Sequence, residues 1–347
     1  AQPLERGSNN YYSIIQGELP MTKHPTFSVI VPVHNTKECL PTCLDTLISQ
    51  TLASLEVLII DDCSDQDIRE TAAPYLADPR FRYYRLNQCL GPGGARNAGL
   101  DAASGKYIGF CDSDDWVDLD FYETAVEFME RSGADIGMCS LIRETDGAPG
   151  DHIYKCKYDH LINLSPDMAV KIMTYQYDAG IKIIPPCTNK IYKKTFLDGL
   201  HARFQNHMYF QDVFFAFQTF LQSKKLICIP NERYHHFRRQ DSIIQSFSPK
   251  HISDFVQLFS LISAFLKDIG LYERYQHNYY RLCEHFYNII IREIFQFVQS
   301  EDEKKQYIRA SFSALKQVVN LDEYLEYATA EKLRQHIQPH IQDTTLY

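Results

Sequence analysis

Four short strand-like runs constrain this chain more than anything else in it. They are Phe27–Val33 (FSVIVPV), Leu55–Ile60 (LEVLII), Phe81–Leu86 (FRYYRL) and Lys106–Cys111 (KYIGFC). The first two are apolar on both faces, which fits strands covered on both sides. Between them Cys39, Leu40, Cys43, Leu44, Leu47 and Ile48 recur at helical spacing. A polar helix is expected after Asp62, to about Leu76, and another over Ala95–Ala103, opened by a glycine-rich stretch. Strands alternating with helices predict an α/β fold with a mostly parallel sheet flanked by helices. Such sheets bind ligands outside the carboxyl ends of their strands. The unusual polar residues fall there: His34 and Asn35 after the first run, Asp61 and Asp62 after the second, Asp112 to Asp115 after the fourth.

Beyond a further strand at Ile136–Leu141 the periodicity weakens. Residues 145–185 read as mixed loop and short helix, and Pro185-Pro186 marks a break. Asp212–Leu221 reads as a helix, Lys225–Ile229 as a short strand, and Tyr234–Arg239 as a basic, aromatic segment. From about Ser253 onward the pattern is helical only, with Phe255, Leu258, Phe259, Ile262 and Phe265 on one face. Three parts are expected: a leader over 1–25, an α/β domain over 26–248, and a C-terminal all-helical domain over 249–347.

Composition excludes several classes. A formal net charge of -9 argues against a non-specific nucleic-acid binder. The ten cysteines are scattered and form no Cys-x-x-Cys pair, so they read as reduced thiols of a cytosolic protein rather than a zinc site. The richest apolar stretch, Phe286–Val298, is broken by Arg292 and Glu293, so no membrane span is expected. No signal peptide is evident. The chain is therefore expected in the cytoplasm.

Three motifs carry chemistry. Asp112-Ser113-Asp114 leaves a buried strand with two carboxylates two residues apart, a donor pair suited to Mg²⁺ or Mn²⁺, which take hard oxygen ligands and keep phosphates in other positions. A solvated acidic turn is the competing explanation, and for this motif alone the commoner one. Asp61-Asp62 could meet a nucleobase or ribose, or could cap the next helix. Gly91-Pro92-Gly93-Gly94-Ala95-Arg96 could bring backbone N–H groups to an anion, with Arg96 adding a fork of donors. A dinucleotide fingerprint fails there because position 96 is Arg, and no Gly-Lys-Ser/Thr exists for a P-loop.

Taken in order, SVIVPVHN (28–35), LDTLISQT (44–51), VLIIDDCS (57–64), GPGGARNAGL (91–100) and GKYIGFCDSDDW (105–116) resemble the family 2 glycosyltransferases, which have the GT-A, nucleotide-diphospho-sugar transferase fold. CTNKIYKK (187–194), FQDVF (210–214) and YHHFRRQDSI (234–243) extend the resemblance over about residues 26–245. It implies an inverting, metal-dependent transfer from a nucleotide-diphosphate sugar, a UDP-sugar foremost, to a carbohydrate or glycolipid acceptor in bacterial cell-surface glycan synthesis. Pro32, Val33, His34, Asn35, Asp61, Asp62, Gly94, Arg96, Asp112 and Ser113 would bind the donor nucleotide. Asp114, with Asp112 and His236, would hold Mn²⁺ or Mg²⁺. Asp115, Trp116, Asn189, Lys190, His235 and Arg238 would lie toward the acceptor or diphosphate. Asp212 would be the general base, although it also suits the cap of the helix it begins.

The chain departs from the family pattern at Gln211, where Glu is usual before the base, at His34, where Tyr is common, at Cys63, where Gly is common, and at Cys89, where Asn is frequent. A nucleotidyltransferase, or a non-catalytic nucleotide-sugar-binding member of the fold, is the alternative. The C-terminal helices are expected to serve acceptor binding, self-association or peripheral contact at the inner face of a membrane, or else to cap the catalytic domain.

Overall fold

The computed structural model describes residues 12–14, 25–145, 152–238 and 247–327. Its centre is β2 (Phe27–Val33), whose seven residues are all buried. β3 (Leu55–Asp61) pairs with it in parallel on one side and β5 (Tyr107–Phe110) on the other, and β4 (Phe81–Leu86) lies beyond β3, again parallel. This is the parallel core the four runs predict. Within the stretch read as a leader, β1 (Tyr12–Ile14) pairs antiparallel with β4. On the far side of β5 the pairing turns antiparallel, through β10 (Lys190–Lys193) to β7 (Ile136–Thr145). The sheet continues to β11 (Leu226–Arg238) and β6 (Trp116–Val117), with β8 (His152–Cys156) on β7 and β9 (Ile162–Leu164) on β11.

The helices follow the spacing of their apolar residues. α1 (Leu40–Ile48) buries Leu40, Cys43, Leu44 and Leu47. The single polar helix expected up to Leu76 is instead α2 (Ile68–Ala72) followed by a 3₁₀ turn at Tyr75–Ala77. Pro74 lies between them, and it has no N–H to continue an α-helical ladder. α3 (Gly91–Ala102) starts four residues before the expected Ala95, with Pro92 in its first turn, where a missing N–H costs nothing. α4 (Phe121–Ser132) ends at Gly133 in the left-handed conformation.

Two stretches differ from expectation. Residues read as mixed loop and short helix contain β8, β9 and α5 (Pro166–Met173). The short strand expected at Lys225–Ile229 runs on to Arg238, because Tyr234 and His235 pair with Val117 and Trp116. The histidines thus sit on a strand.

The described residues divide into two compact units, each interrupted in sequence. The first runs through Leu164 and takes in Pro186–His207 and Ser223–Phe237; it contains α1–α4 and α6 (Lys194–Leu200) and nearly the whole sheet. The second comprises Ser165–Pro185, Met208–Gln222 and the chain from Arg238. It holds α5, α7 (Gln211–Gln222), α8 (Pro249–Asp268), α9 (Tyr272–Phe297), α10 (Glu301–Val318) and α11 (Leu321–Tyr327). Aromatic rings build its core: Phe259 meets Tyr279 at 5.7 Å and Phe286 at 6.1 Å, both edge-on. Asn278 Nδ2 donates to Thr174 Oγ1 (2.7 Å), tying α9 to the end of α5. No helix among the described residues is long and apolar enough to cross a membrane.

Candidate active site

The carboxyl ends of β2 and β3 are stitched together by their own polar residues. Asp62 N donates to the Val33 carbonyl (2.8 Å), and His34 Nδ1 bonds the Asp62 carbonyl (2.8 Å). Asn35 adopts a left-handed conformation (φ 53°), where Asn is tolerated. Its Oδ1 accepts from Asp65 N (2.8 Å), and its N–H donates to Ser64 Oγ (3.0 Å). Pro32 and Val33 are buried strand residues, while His34 is exposed.

The neighbouring aspartates have different surroundings. Asp61 is fully buried and accepts from Tyr83 Oη (2.6 Å), Arg85 (2.5 Å) and Ser64 N (2.8 Å), so it binds β3 to β4. Asp62, 3% exposed, accepts from Leu90 N (2.7 Å) at the entry to α3. Burial raises the Asp62 pKa, and the Leu90 and Gly91 amides oppose that rise. Cys63, next in the chain, is left-handed (φ 55°), which explains why glycine suits this position. Burial and then Cys89 raise its thiol pKa to about 11.

The glycine-rich start of α3 is filled by the chain itself. A Cβ on Gly93 would stand 2.2 Å from the Gln205 carbonyl oxygen. One on Gly94 would strike Leu90 at 2.2 Å and approach Asn206 at 3.2 Å. Asn97 clamps the same segment, its Nδ2 donating to the Phe204 carbonyl and its Oδ1 accepting from Phe204 N, both at 2.9 Å. His207 N donates to the Leu90 carbonyl (2.9 Å). Close approach of the Gln205 backbone to Gly93, and of the Leu90 side chain to Gly94, therefore accounts for these glycines.

From the same helix, buried Arg96 donates to Asp112 Oδ1 (2.6 Å), its guanidinium 5.7 Å from the Phe204 ring centroid. Asp112 begins the acidic turn after β5. Its N–H donates to Tyr234 Oη (3.1 Å), and that hydroxyl donates to Asp115 Oδ2 (2.6 Å). Asp115 is 1% exposed and its Oδ1 accepts from Phe237 N (2.9 Å). Burial, then the charges of Asp112 and Asp114, push its pKa well up. Both Asp115 oxygens thus fasten the turn to β11. Ser113 is buried and shares a 2.8 Å hydrogen bond with Thr36 after β2. Asp112 and Asp114 are half-buried. As hard oxygen donors they fit Mg²⁺ or Mn²⁺ with diphosphate and water in the other positions. Among the described residues there is no group of three or more His, Cys, Asp or Glu that would form a closed protein cage.

On β11, His235 stacks on Trp116 (5.5 Å, 10°) and bonds Glu144 through Nδ1 (2.7 Å) and Asp118 through Nε2 (3.1 Å). Burial alone would lower its pKa, but the two carboxylates outweigh it and the net direction is up. His236 follows, half-buried, and Arg238 ends the strand. Asn189 and Lys190 are buried at the start of β10. Asn189 Nδ2 donates to the Cys139 carbonyl (2.7 Å), and Lys190 Nζ donates to the Pro186 carbonyl (2.5 Å) and Asn189 Oδ1 (3.0 Å). Asp212, half-buried in the first turn of α7, belongs to the second unit.

The first unit therefore gathers the residues after β2, β3 and β5 with Arg96 and the β11 histidines. Tyr234, Thr36, Asp118 and Glu144 join this network without having been singled out in the sequence. For Tyr234 the signal was its place at the head of YHHFRRQDSI; the others become neighbours only through the sheet.

The sequence pattern of glycosyl transferase family 2 matches residues 28–214, more than half of the chain. This chain is a family 2 glycosyltransferase. The glycosyltransferase is 26% identical over 268 residues to EpsH of Bacillus subtilis, a protein whose name calls it a glycosyltransferase; the match spans 73% of this chain and 72% of EpsH. It is 26% identical over 261 residues to the succinoglycan biosynthesis protein ExoO of Rhizobium meliloti, spanning 74% of this chain and 73% of ExoO. Among solved structures it is similar to residues 1–349 of S. aureus TarS in complex with UDP-GlcNAc, with a TM-score of 0.60 at 17% identity, over 88% of this chain and 93% of that one. That likeness gives the glycosyltransferase the GT-A fold, with a helical C-terminal region after it.

Proposed function

We propose that this family 2 glycosyltransferase transfers a sugar from a UDP-sugar, with inversion and with Mn²⁺ or Mg²⁺, to a carbohydrate or glycolipid acceptor during surface-polysaccharide synthesis. The observation that carries this reading is the acidic turn after β5. Asp112 is oriented by Arg96 and Asp115 is locked to β11, so the turn holds Asp112 and Asp114 in a fixed backbone frame. Bound there, the cation would neutralise charge on the departing diphosphate. His34, Asn35 and Asp62 are held in one loop network that suits the nucleoside. The UDP-GlcNAc complex of TarS and the naming of ExoO support the donor and pathway classes. Asp212 takes the acceptor hydroxyl proton as that oxygen attacks the anomeric carbon.

The test is a panel of UDP-glucose, UDP-galactose, UDP-GlcNAc and UDP-GalNAc, read by thermal shift and by UDP release, each with Mn²⁺ or with EDTA. Stabilisation and turnover by one donor only with the metal are expected. Equal turnover in EDTA would overturn the metal assignment, and binding by nucleoside triphosphates alone would favour a nucleotidyltransferase.

A further inference from the structure

We propose that Asp254 on α8 is a positioning residue for sugar transfer, fixing through the Tyr209 amide the turn that leads into Asp212. The inference rests on the reading of Asp212 as the base.

Phe210, two residues before Asp212, has φ 60°, a left-handed conformation that an aromatic residue rarely adopts. Such a backbone persists only where its surroundings over-determine it. Here they do. Asp254, 4% exposed, accepts the Tyr209 N–H at 2.7 Å. Lys250 Nζ, one turn earlier on α8, donates to the same carboxylate oxygen (2.5 Å) and lies 5.1 Å over the Tyr209 ring. That ring also stacks on His251 at 4.2 Å and 15°, whose own Nδ1 accepts from Ser248 N (3.1 Å) in the cap of α8. Phe210 packs edge-on against Phe286 of α9 (5.0 Å, 70°). Its carbonyl accepts from Val213 N (3.0 Å), closing the first turn of α7. Two C-terminal helices thus grip the two residues immediately ahead of the Gln211-Asp212 start of α7.

A base must hold its geometry closely, since a displacement of about 1 Å can cost about 10²-fold in rate. The C-terminal helices thereby gain a part in the chemistry without touching substrate. The competing explanation is that Asp254 only fastens α8 to residue 209, in which case its loss lowers stability and leaves turnover per folded molecule unchanged.

The test uses the full chain and UDP release from the panel above. Asp254→Ala should lower kcat by about tenfold or more, with donor KM and UDP affinity unchanged, and should speed amide exchange across residues 208–213. Asp254→Asn keeps an oxygen for the Tyr209 N–H and should retain most of the turnover and protection. Placed on Asp212→Asn, Asp254→Ala should cost nothing further, because residues acting through one another are non-additive. Lys250→Met, which removes the ion pair at a half-exposed position, should give a smaller kcat loss at unchanged KM, and it decides the matter should Asp254→Ala fail to fold. Wild-type kcat in Asp254→Ala or, failing that, in Lys250→Met, beside a strongly slowed Asp212→Asn, would overturn the proposal. So would a loss that persists undiminished on Asp212→Asn. Full turnover of Asp212→Asn alone would instead remove the base assignment.

Discussion

The two units hold their buried carboxylates in different ways. In the first, Asp61 is fixed by Tyr83 and Arg85 of the adjacent strand, and Asp115 by Tyr234 and Phe237, about 120 residues away. Sheet register sets these contacts, so a carboxylate is placed only when a distant strand has paired. In the second, Asp254 takes its cation from Lys250 on the same helix and accepts the N–H of Tyr209, whose ring stacks on His251. The first arrangement rests on strand pairing; in the second, a lysine of the same helix and a backbone N–H 45 residues earlier meet on one carboxylate oxygen.

If the first unit serves the donor and the second the base, their variants should fail differently. The largest effect is expected from Asp114→Ala: loss of detectable transfer together with loss of the Mn²⁺-dependent thermal shift, and an unchanged melting temperature without metal. Retained turnover in EDTA would remove the metal from the first unit. Next comes Asp212→Asn, which keeps size and capping ability and should lower kcat by about 10²-fold or more, with UDP binding and melting unaltered. Early melting with full activity per folded molecule would make Asp212 a helix cap only.

The packing contrast gives smaller effects. Phe259→Ala opens the aromatic core and should cost about 3–5 kcal/mol in denaturant melts. Tyr83→Phe leaves Asp61 its Arg85 and Ser64 bonds and should cost about 1–2 kcal/mol. A larger loss for Tyr83→Phe would reverse the view that register shares the load. The smallest effect is electrostatic. Arg80 lowers the Asp78 pKa below its ordinary value, first by hydrogen bonding, against partial burial. A lowered folded-state pKa adds stability above the unfolded pKa and loses it as pH falls through the folded one. Asp78→Asn should therefore cost up to about 1 kcal/mol at neutral pH and nothing once both proteins are acidified below the carboxylate range.

The same contrast explains what could be read from sequence. The parallel core was legible because β2 and β3 are apolar apart from Ser28, Glu56 and Asp61, and the C-terminal helices because their aromatics keep helical spacing. β11 was read too short: nothing local in Tyr234–Arg238 announces pairing with the two-residue strand Trp116–Val117. The site's acidic turn was visible as Asp-Ser-Asp-Asp, but not the division of labour in which Asp115 is buried while Asp112 faces Arg96. The glycines after Cys89 suggested an anion cradle, and only the return of residues 204–207 reveals the backbone that occupies Gly93. At Cys63, where glycine is common in the family, the left-handed backbone became visible only in the structure.

Because each unit is assembled from separated stretches of chain, the order in which a ribosome delivers them matters. The first unit lacks β11 until residue 237 has emerged, long after its parallel core is available. α5 and α7 also emerge before their partners: Phe214 of α7 must wait for Phe265 of α8. During that interval the apolar face of α7, with Phe215, Phe217 and Phe220, has no mature core to enter. A chain released near Lys250 would make that interval permanent. It should aggregate rather than persist as a soluble α/β domain, and chaperone demand during synthesis should peak before α8 is complete.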